Sequence, residues 1–147
     1  MTIKAIAASD ALWDQVKEYA RNCSWSAGKS LAELMDDNGF SDWERVLVAL
    51  DEETICGFGT VTKSDGIPGV TYTPYVGYLF VDEAYRGHRL SQRLIAFAME
   101  YLKLLGFHEL YLVTSHVNLY EKYGFRMIDR RAVPWGGEES IFVQELP

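Results

Sequence analysis

One stretch of the chain, residues 76–105, restricts the fold more than any other because a buried strand, a turn and an amphipathic helix follow one another directly. Residues 76–81 form an apolar run of strand length. After the turn, apolar residues recur at helical spacing until Gly106, which predicts the end of the helix. This succession is typical of α/β proteins. The apolar helix positions are Leu90, Leu94, Phe97, Ala98, Tyr101 and Leu105.

The turn between this strand and helix, residues 86–91, is rich in cations and is named here the basic turn. Arg86, His88 and Arg89 lie in it and Arg93 follows, although the whole chain carries a net charge of -7. Gly87 lets the backbone approach a ligand, and a helix start presents unpaired N–H groups. The pattern predicts one local anionic ligand such as a phosphate, and not a nucleic-acid surface. Arginines placed at a helix start by chance remain the alternative at this point.

A second informative segment, residues 118–125, reads Asn-Leu-Tyr-Glu-Lys-Tyr-Gly-Phe and follows a predicted strand. Together with the basic turn, it resembles the GNAT family of N-acetyltransferases. The cofactor motif of that family reads Arg/Gln-x-x-Gly-x-Gly/Ala and corresponds to residues 86–91, where Arg89 replaces the usual Gly and Ser91 the usual Gly or Ala. The second motif, Leu-Tyr-Glu-Lys-x-Gly-Phe, is matched from Leu119 to Phe125.

The fold predicted from these patterns is α/β, with a mixed (α+β) sheet. The resemblance implies a single GNAT-like domain over residues 1–147 with the order β-α-α-β-β-β-α-β-α-β-β. Residues 63–69 are expected to form a mobile segment, because they separate a predicted hairpin from the strand that feeds the basic turn. The predicted strands cover residues 3–7, 45–50, 54–62, 71–81, 108–114, 125–132 and 140–145.

Two helices are predicted before the hairpin. Ser9 is a plausible N-cap for a helix over residues 9–21. Residues 30–33, Ser-Leu-Ala-Glu, have the form of a capping box, which predicts a short second helix that ends near residues 37–39. A further short helix is expected to begin near Tyr120, as in the family motif.

Acetyl-CoA is the acyl donor that the resemblance implies. In the family, the pantetheine arm pairs with backbone groups at the end of the fourth strand, and the helix start after it holds the pyrophosphate. The implied cofactor-binding residues are Phe80, Val81, Arg86, Gly87, His88, Arg89, Leu90 and Ser91.

Two catalytic residues are predicted, and each has an alternative role. Tyr120 matches the motif tyrosine and is expected to protonate the leaving thiolate, since a phenol and a thiolate have comparable basicity. A packing role is its alternative. His116 is the candidate general base, with helix capping or packing as its alternative, whereas Asp82 and Glu83 are expected to face solvent or to cap. Deprotonation through water needs no side-chain base. His88, His108 and His116 form no ligand cluster, so no metal site is predicted.

The acceptor is expected to be a small-molecule amine that is cationic, because aromatic and acidic residues occur on the elements that form family acceptor pockets. Trp25, Tyr78 and Trp135 are the predicted substrate-binding residues. A peptide or protein amine, a solvated acidic surface and a non-catalytic acyl-CoA-binding or sensing module remain alternatives. The other residues considered for this pocket are Asp36, Asp37, Asp42, Trp43, Glu138 and Glu139.

Composition is compatible with this interpretation. At 48% hydrophobic residues in 147, the chain suits one domain with a filled core. No stretch approaches the roughly 20 apolar residues of a membrane helix, and the N-terminal apolar segment is too short for a signal peptide. Neither a membrane nor a nucleic acid is therefore an expected partner, and a cytoplasmic location is expected. Cys23 and Cys56 are predicted to be reduced packing residues. A homodimer is compatible with the sequence, although no residue requires one.

Overall fold

Seven strands form one mixed sheet in the computed structural model, which describes residues 1–116 and 118–147. The strands are β1 (Thr2–Ile6), β2 (Arg45–Asp51), β3 (Thr54–Thr62), β4 (Tyr75–Val81), β5 (Glu109–Thr114), β6 (Arg126–Ala132) and β7 (Glu138–Glu145). Their spatial order is β1-β2-β3-β4-β5-β7-β6, and β4 and β5 form the parallel pair. The mixed α/β architecture predicted from the sequence is confirmed.

The helices cover both faces of this sheet. The α-helices of the described residues are α1 (Trp13–Asn22), α2 (Ala27–Asp36) and α3 (Leu90–Leu104). Helix α3 buries Leu94 and Leu102 on one face, against residues such as Val76 of β4. Helices α1 and α2 pack on the opposite face, where Leu31 and Phe58 share a core. These surfaces are named here the α3 face and the α1/α2 face.

Strands β4 and β5 meet only at their beginnings. Tyr75 is paired with Tyr111, and the Tyr111 N–H donates to the Pro74 carbonyl at 2.9 Å. No further pair joins the two strands within the described residues. The strands therefore part toward their carboxyl ends and leave an opening in the middle of the sheet, named here the β4–β5 gap.

An irregularity in β4 changes which side chains face α1 and α2. Tyr78 has a left-handed backbone with φ of 46°, and the pairing of β3 with β4 shifts register beside it. Val76 and Leu79 pack on the α3 face, whereas Tyr78 and Phe80 pack on the α1/α2 face. Regular alternation would place Tyr78 on the α3 face, together with Val76. The irregularity, a β-bulge, instead turns the Tyr78 ring onto the α1/α2 face.

Both predicted helix starts were wrong. Helix α1 begins at Trp13, and Asp10, not Ser9, accepts the hydrogen bond from the Leu12 N–H, at 2.9 Å. Helix α2 begins at Ala27, so the predicted capping box at residues 30–33 lies inside its first turns. The passage between the helices is tight, since an added Cβ on Gly28 would stand 2.2 Å from the Ala20 carbonyl oxygen.

Two further elements differ from the prediction. The fourth strand begins at Tyr75 rather than at residue 71, because Pro74 has no N–H to donate to a ladder. The helix expected near Tyr120 is a single 3-10 turn, Tyr120–Tyr123. The element order is otherwise as predicted, with a further 3-10 turn, Glu83–Tyr85, between β4 and α3.

Candidate active site

The basic turn connects the end of β4 to α3 and is open to solvent. Arg86, Gly87, His88 and Arg89 are all exposed. Gly87 has φ of 85°, and a Cβ at this position would meet no atom within 4 Å. A ligand can therefore approach this backbone directly. Leu90 opens α3 and buries its side chain in the core, and the adjacent Ser91 is half-buried.

Arg89 keeps the backbone that its motif position requires. It is the residue before α3 and has φ of 59° and ψ of 29°, in the left-handed region. This conformation costs a non-glycine residue roughly 1–2 kcal/mol, which explains why the family usually has Gly at this position. Arg89 therefore places a cationic side chain on a backbone that glycine would adopt without strain.

Arg86 folds back over the end of β4. Its Nε donates to the Val81 carbonyl at 3.2 Å, and its guanidinium carbon lies 6.0 Å from the centre of the Phe80 ring. These contacts combine a hydrogen bond with a cation–π interaction. They keep a positive charge beside the strand end that the sequence predicted to bind pantetheine.

A cleft of about 520 Å³ lies between α1 and the end of β4, and Tyr19, Phe80, Asp82 and Glu83 are among the residues that line it. The Tyr19 hydroxyl donates to the Asp82 carboxylate at 2.6 Å. Burial, followed by this hydrogen bond, raises the pKa of Tyr19, and the same bond lowers the pKa of Asp82. Asp82 also accepts from the Ala84 N–H at 3.0 Å, which agrees with the expected capping role.

Tyr120 is buried, with 9% of its surface exposed, and it begins the 3-10 turn after β5. Its ring lies 6.1 Å from that of Tyr123 and 6.3 Å from that of Phe125. Burial, followed by the charge of Tyr123, raises the pKa of Tyr120. Its hydroxyl forms no hydrogen bond with another described residue. The group is therefore protonated and has a proton to donate.

His116 is exposed and follows the end of β5, and its backbone N–H donates to the Thr114 hydroxyl at 3.0 Å. His116 and Tyr120 thus both follow the strand that borders the β4–β5 gap. The two assignments remain predictions. No group of three or more His, Cys, Asp or Glu side chains suited to a metal ion occurs in the described part of the chain.

Two of the three predicted substrate-binding residues meet on the α1/α2 face. The Trp25 and Tyr78 rings lie 6.3 Å apart, and Trp25 also stacks on Phe80 at 6.1 Å. Trp135 is 59% exposed on the turn between β6 and β7, where its Nε1 donates to Glu139. A Cβ on Gly66 would lie 3.5 Å from the Trp135 ring. The segment around Gly66 therefore lies beside this turn.

Several acidic residues considered for the acceptor pocket instead form surface ion pairs. Asp36 bridges Lys17 at 2.9 Å and Arg21 at 3.0 Å, and these hydrogen bonds lower the pKa of Asp36. Asp42 pairs with Lys63. Trp43 packs on Phe107, with ring centres 5.0 Å apart, and borders a second cleft of about 420 Å³. These contacts agree with the alternative of a solvated acidic surface.

The sequence did not identify Asp65, which lies in the segment expected to be mobile. That segment is packed on the sheet: Ile67 is 5% exposed, and the Lys63 N–H donates to the Glu44 carboxylate at 2.9 Å. Asp65 is half-buried as a residue, but its carboxylate turns inward over Gly77. Burial, followed by the charge of Glu139, raises the pKa of Asp65 to about 6. An isolated Asp before a Gly gives only a turn signal, so the sequence offered no sign of this placement.

Comparisons with known proteins address the fold and the family. The model described as the acetyltransferase (GNAT) family matches residues 12–125. Comparison with curated protein sequences gave no match. Among solved structures, an aminoglycoside 6'-N-acetyltransferase from Enterococcus faecium is 18% identical, with a TM-score of 0.75, and the match covers 100% of this chain and 98% of that protein.

Two other solved structures share the fold. The GNAT family N-acetyltransferase YhbS from Escherichia coli, in complex with CoA, is 24% identical with a TM-score of 0.74, and the match covers 99% of this chain and 81% of that one. A ribosomal-protein-alanine N-acetyltransferase from Brucella melitensis is 17% identical with a TM-score of 0.67, and the match covers 99% of this chain and 100% of that one. None of the helices described here is both long and apolar enough to span a membrane.

Proposed function

Since the chain belongs to the GNAT family of acetyltransferases, we propose that it transfers an acetyl group to the primary amine of a small cationic molecule, with Tyr120 as the general acid. As a member of this family, the protein is an N-acetyltransferase that uses acetyl-CoA as its acyl donor. The proposed reaction is a direct attack of the amine on the thioester while both substrates are bound. The buried Tyr120 hydroxyl, which follows the strand bordering the β4–β5 gap, is the observation that carries this proposal.

The basic turn suits the phosphates of the donor. The left-handed backbone at Gly87 and Arg89 leads into the N-terminus of α3, where N–H groups and the positive end of the helix dipole favour an anion. Arg86 and His88 are exposed beside this backbone. The pantetheine arm would then follow the end of β4 toward the β4–β5 gap.

The proposed chemistry uses one proton donor at the sulfur atom. The amine nitrogen bonds to the acetyl carbon, the carbon–sulfur bond breaks, and the Tyr120 hydroxyl protonates the departing thiolate. Burial raises the pKa of Tyr120, so the phenol stays protonated at neutral pH and gives up its proton only to a strong base such as the departing thiolate. His116 remains a candidate for the base.

The aromatic surface on the α1/α2 face supports a cationic acceptor. Trp25 and Tyr78 offer ring faces that attract an ammonium group, and Asp65 and Glu139 add negative charge nearby. The Enterococcus faecium protein is named for aminoglycosides and the Brucella melitensis protein for the alanine of a ribosomal protein. We favour the small cation because aromatic rings and carboxylates occur together on this face.

The decisive experiment measures thiol release from acetyl-CoA with a panel of polyamines, aminoglycosides, amino acids and short peptides. Tyr120→Phe is expected to keep the affinity for acetyl-CoA and to lower turnover at least tenfold, because only the acid is removed. Tyr123→Phe is the matched control, since it removes a neighbouring hydroxyl that the mechanism does not use.

The panel also separates the remaining alternatives. Thiol release with peptides alone would identify a protein amine as the acceptor. Acetyl-CoA binding without release for any amine would instead support the non-catalytic sensing module. Equal turnover by Tyr120→Phe and the wild-type protein would remove the acid assignment.

A further inference from the structure

The Asp65 carboxylate faces the protein interior, and no cationic side chain among the described residues pairs with it. An added Cβ on Gly77 would stand 3.0 Å from its Oδ1 and 3.3 Å from its Oδ2, so the carboxylate lies directly over the β4 backbone. Within the described residues, Asp65 forms no salt bridge. Burial disfavours the charged carboxylate, and the nearby Glu139 disfavours it further. Buried charges in proteins are normally paired or neutralised, so a cation beside this carboxylate would stabilise its charged form.

Two buried hydroxyl groups close to Asp65 also lack partners in the described part of the chain. An added Cβ on Gly77 would also stand 3.3 Å from the Thr60 side-chain oxygen, and Thr60 is fully buried. The Tyr75 hydroxyl is near enough to Asp65 for the carboxylate charge to raise its pKa, and Tyr75 is 1% exposed. Neither hydroxyl has a hydrogen-bond partner. Thr60, Asp65, Tyr75 and Gly77 are named here the Asp65 pocket.

The chemistry of the Asp65 pocket suits an ammonium group. Its three side-chain oxygen groups can accept the hydrogen bonds that an ammonium donates. Glu139 of β7 lies close enough to act on the charge of Asp65, and Asp65 and Glu33 of α2 both act on the adjacent Tyr78. The charges that act on the pocket are therefore negative, and a bound cation would offset their repulsion.

The location of the pocket connects it to the proposed reaction. Gly77 follows Tyr75, the residue of β4 that is paired with β5, so Asp65 stands where the β4–β5 gap begins to open. Asp65 lies beside Tyr78, on the α1/α2 face, whereas Tyr120 packs in the core of the α3 face. An acceptor on one face and a proton donor on the other would meet a thioester placed in the gap.

We propose that Asp65 binds the ammonium group of the acceptor and removes its proton before the amine attacks acetyl-CoA. This inference rests on the proposed function and adds to it a base and an acceptor subsite. Burial supports the role, since a carboxyl group with a pKa of about 6 is ionised at neutral pH yet basic enough to take a proton.

The proton steps balance without another reagent. An ammonium proton passes to the Asp65 carboxylate, and the neutral amine attacks the acetyl carbon. As the carbon–nitrogen bond forms and the carbon–sulfur bond breaks, Tyr120 gives its proton to the thiolate. The amide nitrogen loses a second proton, which restores the Tyr120 hydroxyl through solvent, and Asp65 releases its proton to solvent. The products are the acetylated amine, CoA thiol and one proton.

The test compares the wild-type protein with Asp65→Asn, which keeps the size of the side chain but removes its charge. Asp129→Asn is the matched control: Asp129 is also half-buried and accepts a hydrogen bond from a tyrosine, Tyr72, at 3.0 Å. Thiol release is measured between pH 5 and pH 9 with spermidine and with kanamycin. Binding of each amine to the CoA-bound protein is measured by calorimetry, and acetyl-CoA affinity and thermal unfolding verify that each variant is folded.

Asp65→Asn is expected to lower turnover at least a hundredfold, the lower range for loss of a general base, and to weaken amine binding at least tenfold. The wild-type rate should fall as the pH drops below about 6, where Asp65 becomes protonated. The variant should lose this dependence, and Asp129→Asn should retain it. A purely structural role of Asp65 would not remove this part of the pH profile.

Unchanged turnover, pH profile and amine affinity in Asp65→Asn would overturn the inference while leaving the acetyltransferase intact. Failure of the wild-type protein to bind either amine would also overturn it. The absence of thiol release with every acceptor would contradict the proposed function separately, and amine binding by the wild-type protein and by Asp65→Asn would still decide whether Asp65 forms the ammonium subsite.

Discussion

The basic turn and the Asp65 pocket are built in opposite ways. The basic turn is one continuous segment, exposed from Arg86 to Arg89, and its shape depends on its own backbone at Gly87 and Arg89. The Asp65 pocket draws on β3, the segment after it, and β4, and its two hydroxyl groups are buried. A continuous segment tolerates side-chain changes as long as its backbone is kept, whereas an assembled pocket depends on every neighbour. The donor site is therefore expected to be robust and the acceptor site sensitive.

The largest effect is expected when a single methyl group is added to the Asp65 pocket. Gly77→Ala places a Cβ 3.0 Å from the Asp65 carboxylate, closer than ordinary van der Waals contact, and must displace it. A catalytic group misplaced by about 1 Å can cost roughly a hundredfold in rate, so this smaller displacement should lower kcat/KM for the amine about thirtyfold. The affinity for acetyl-CoA, measured by calorimetry, should not change.

Gly87→Ala provides the matched comparison in the basic turn. Its Cβ would enter open space, but its φ of 85° is unfavourable for alanine. This variant is expected to weaken acetyl-CoA binding and to leave the KM for the amine unchanged. If both glycine variants affected the same substrate, the proposed division of the site would be wrong.

The next largest effect is expected in the donor site. Arg86→Ala should weaken acetyl-CoA binding by about 1–2 kcal/mol, the size of a charge-assisted contact, because it removes the cation beside the basic turn. Titration of acetyl-CoA into both proteins measures this loss. Arg130→Ala, which removes an exposed arginine of β6, controls for the change in net charge. Equal affinities for Arg86→Ala and the wild-type protein would contradict phosphate binding at the basic turn.

The basic turn and the Asp65 pocket also differ in how far they could be predicted from the sequence. The strand, basic turn and helix α3 were predicted because their pattern is local, and the element order followed from the family resemblance. The Asp65 pocket was not predicted because it depends on a contact between two segments, and the sequence of neither segment indicates the other. The Asp65 side chain lies over Gly77, and a glycine in a strand pattern does not reveal what packs on it.

Tertiary contacts also explain the errors in the local predictions. The Ser-Leu-Ala-Glu pattern at residues 30–33 satisfies a capping rule, yet close packing of Gly28 on Ala20 accompanies a helix that begins earlier. Likewise, strand alternation gives no sign that Tyr78 shares a face with Gly77. The left-handed backbone at Tyr78 produces this arrangement, and it is an unfavourable conformation for a tyrosine.

A smaller effect concerns stability, and it tests the burial of Asp65 without any substrate. The folded-state pKa of about 6 exceeds the usual value of 3.8, so the native state binds the proton more tightly than the unfolded state. The resulting stability is fully present below about pH 4 and is lost as the pH rises through 6. Asp65→Asn should therefore be more stable than the wild-type protein at pH 8, by about 1 kcal/mol after allowance for partial exposure, and this advantage should shrink on acidification.

Asp129→Asn should show the opposite sign in the same urea or thermal unfolding series. The side chain of Arg131, followed by the Arg130 N–H, lowers the pKa of Asp129, so its charge contributes stability at pH 8 that is lost on acidification. Its loss should destabilise the protein at pH 8. If the free energy of unfolding changed by the same amount and sign in both variants, the Asp65 carboxylate would not be buried away from solvent.

The smallest effect is expected for Arg89→Gly, and it separates backbone from charge within the basic turn. Arg89 has a left-handed backbone, so glycine should relieve a strain of roughly 1–2 kcal/mol. The backbone entropy that glycine loses offsets part of this, so the free energy of unfolding, measured by urea denaturation, should rise by roughly 0.5–1 kcal/mol. Ser91→Gly is the control, because Ser91 lies in the first turn of α3, where glycine relieves no strain and is expected to be neutral or slightly destabilising. If the turn binds phosphate mainly through its backbone, Arg89→Gly should keep its acetyl-CoA affinity. A large loss of affinity would instead assign binding to the Arg89 side chain, and the donor site would then depend on individual side chains as strongly as the Asp65 pocket does.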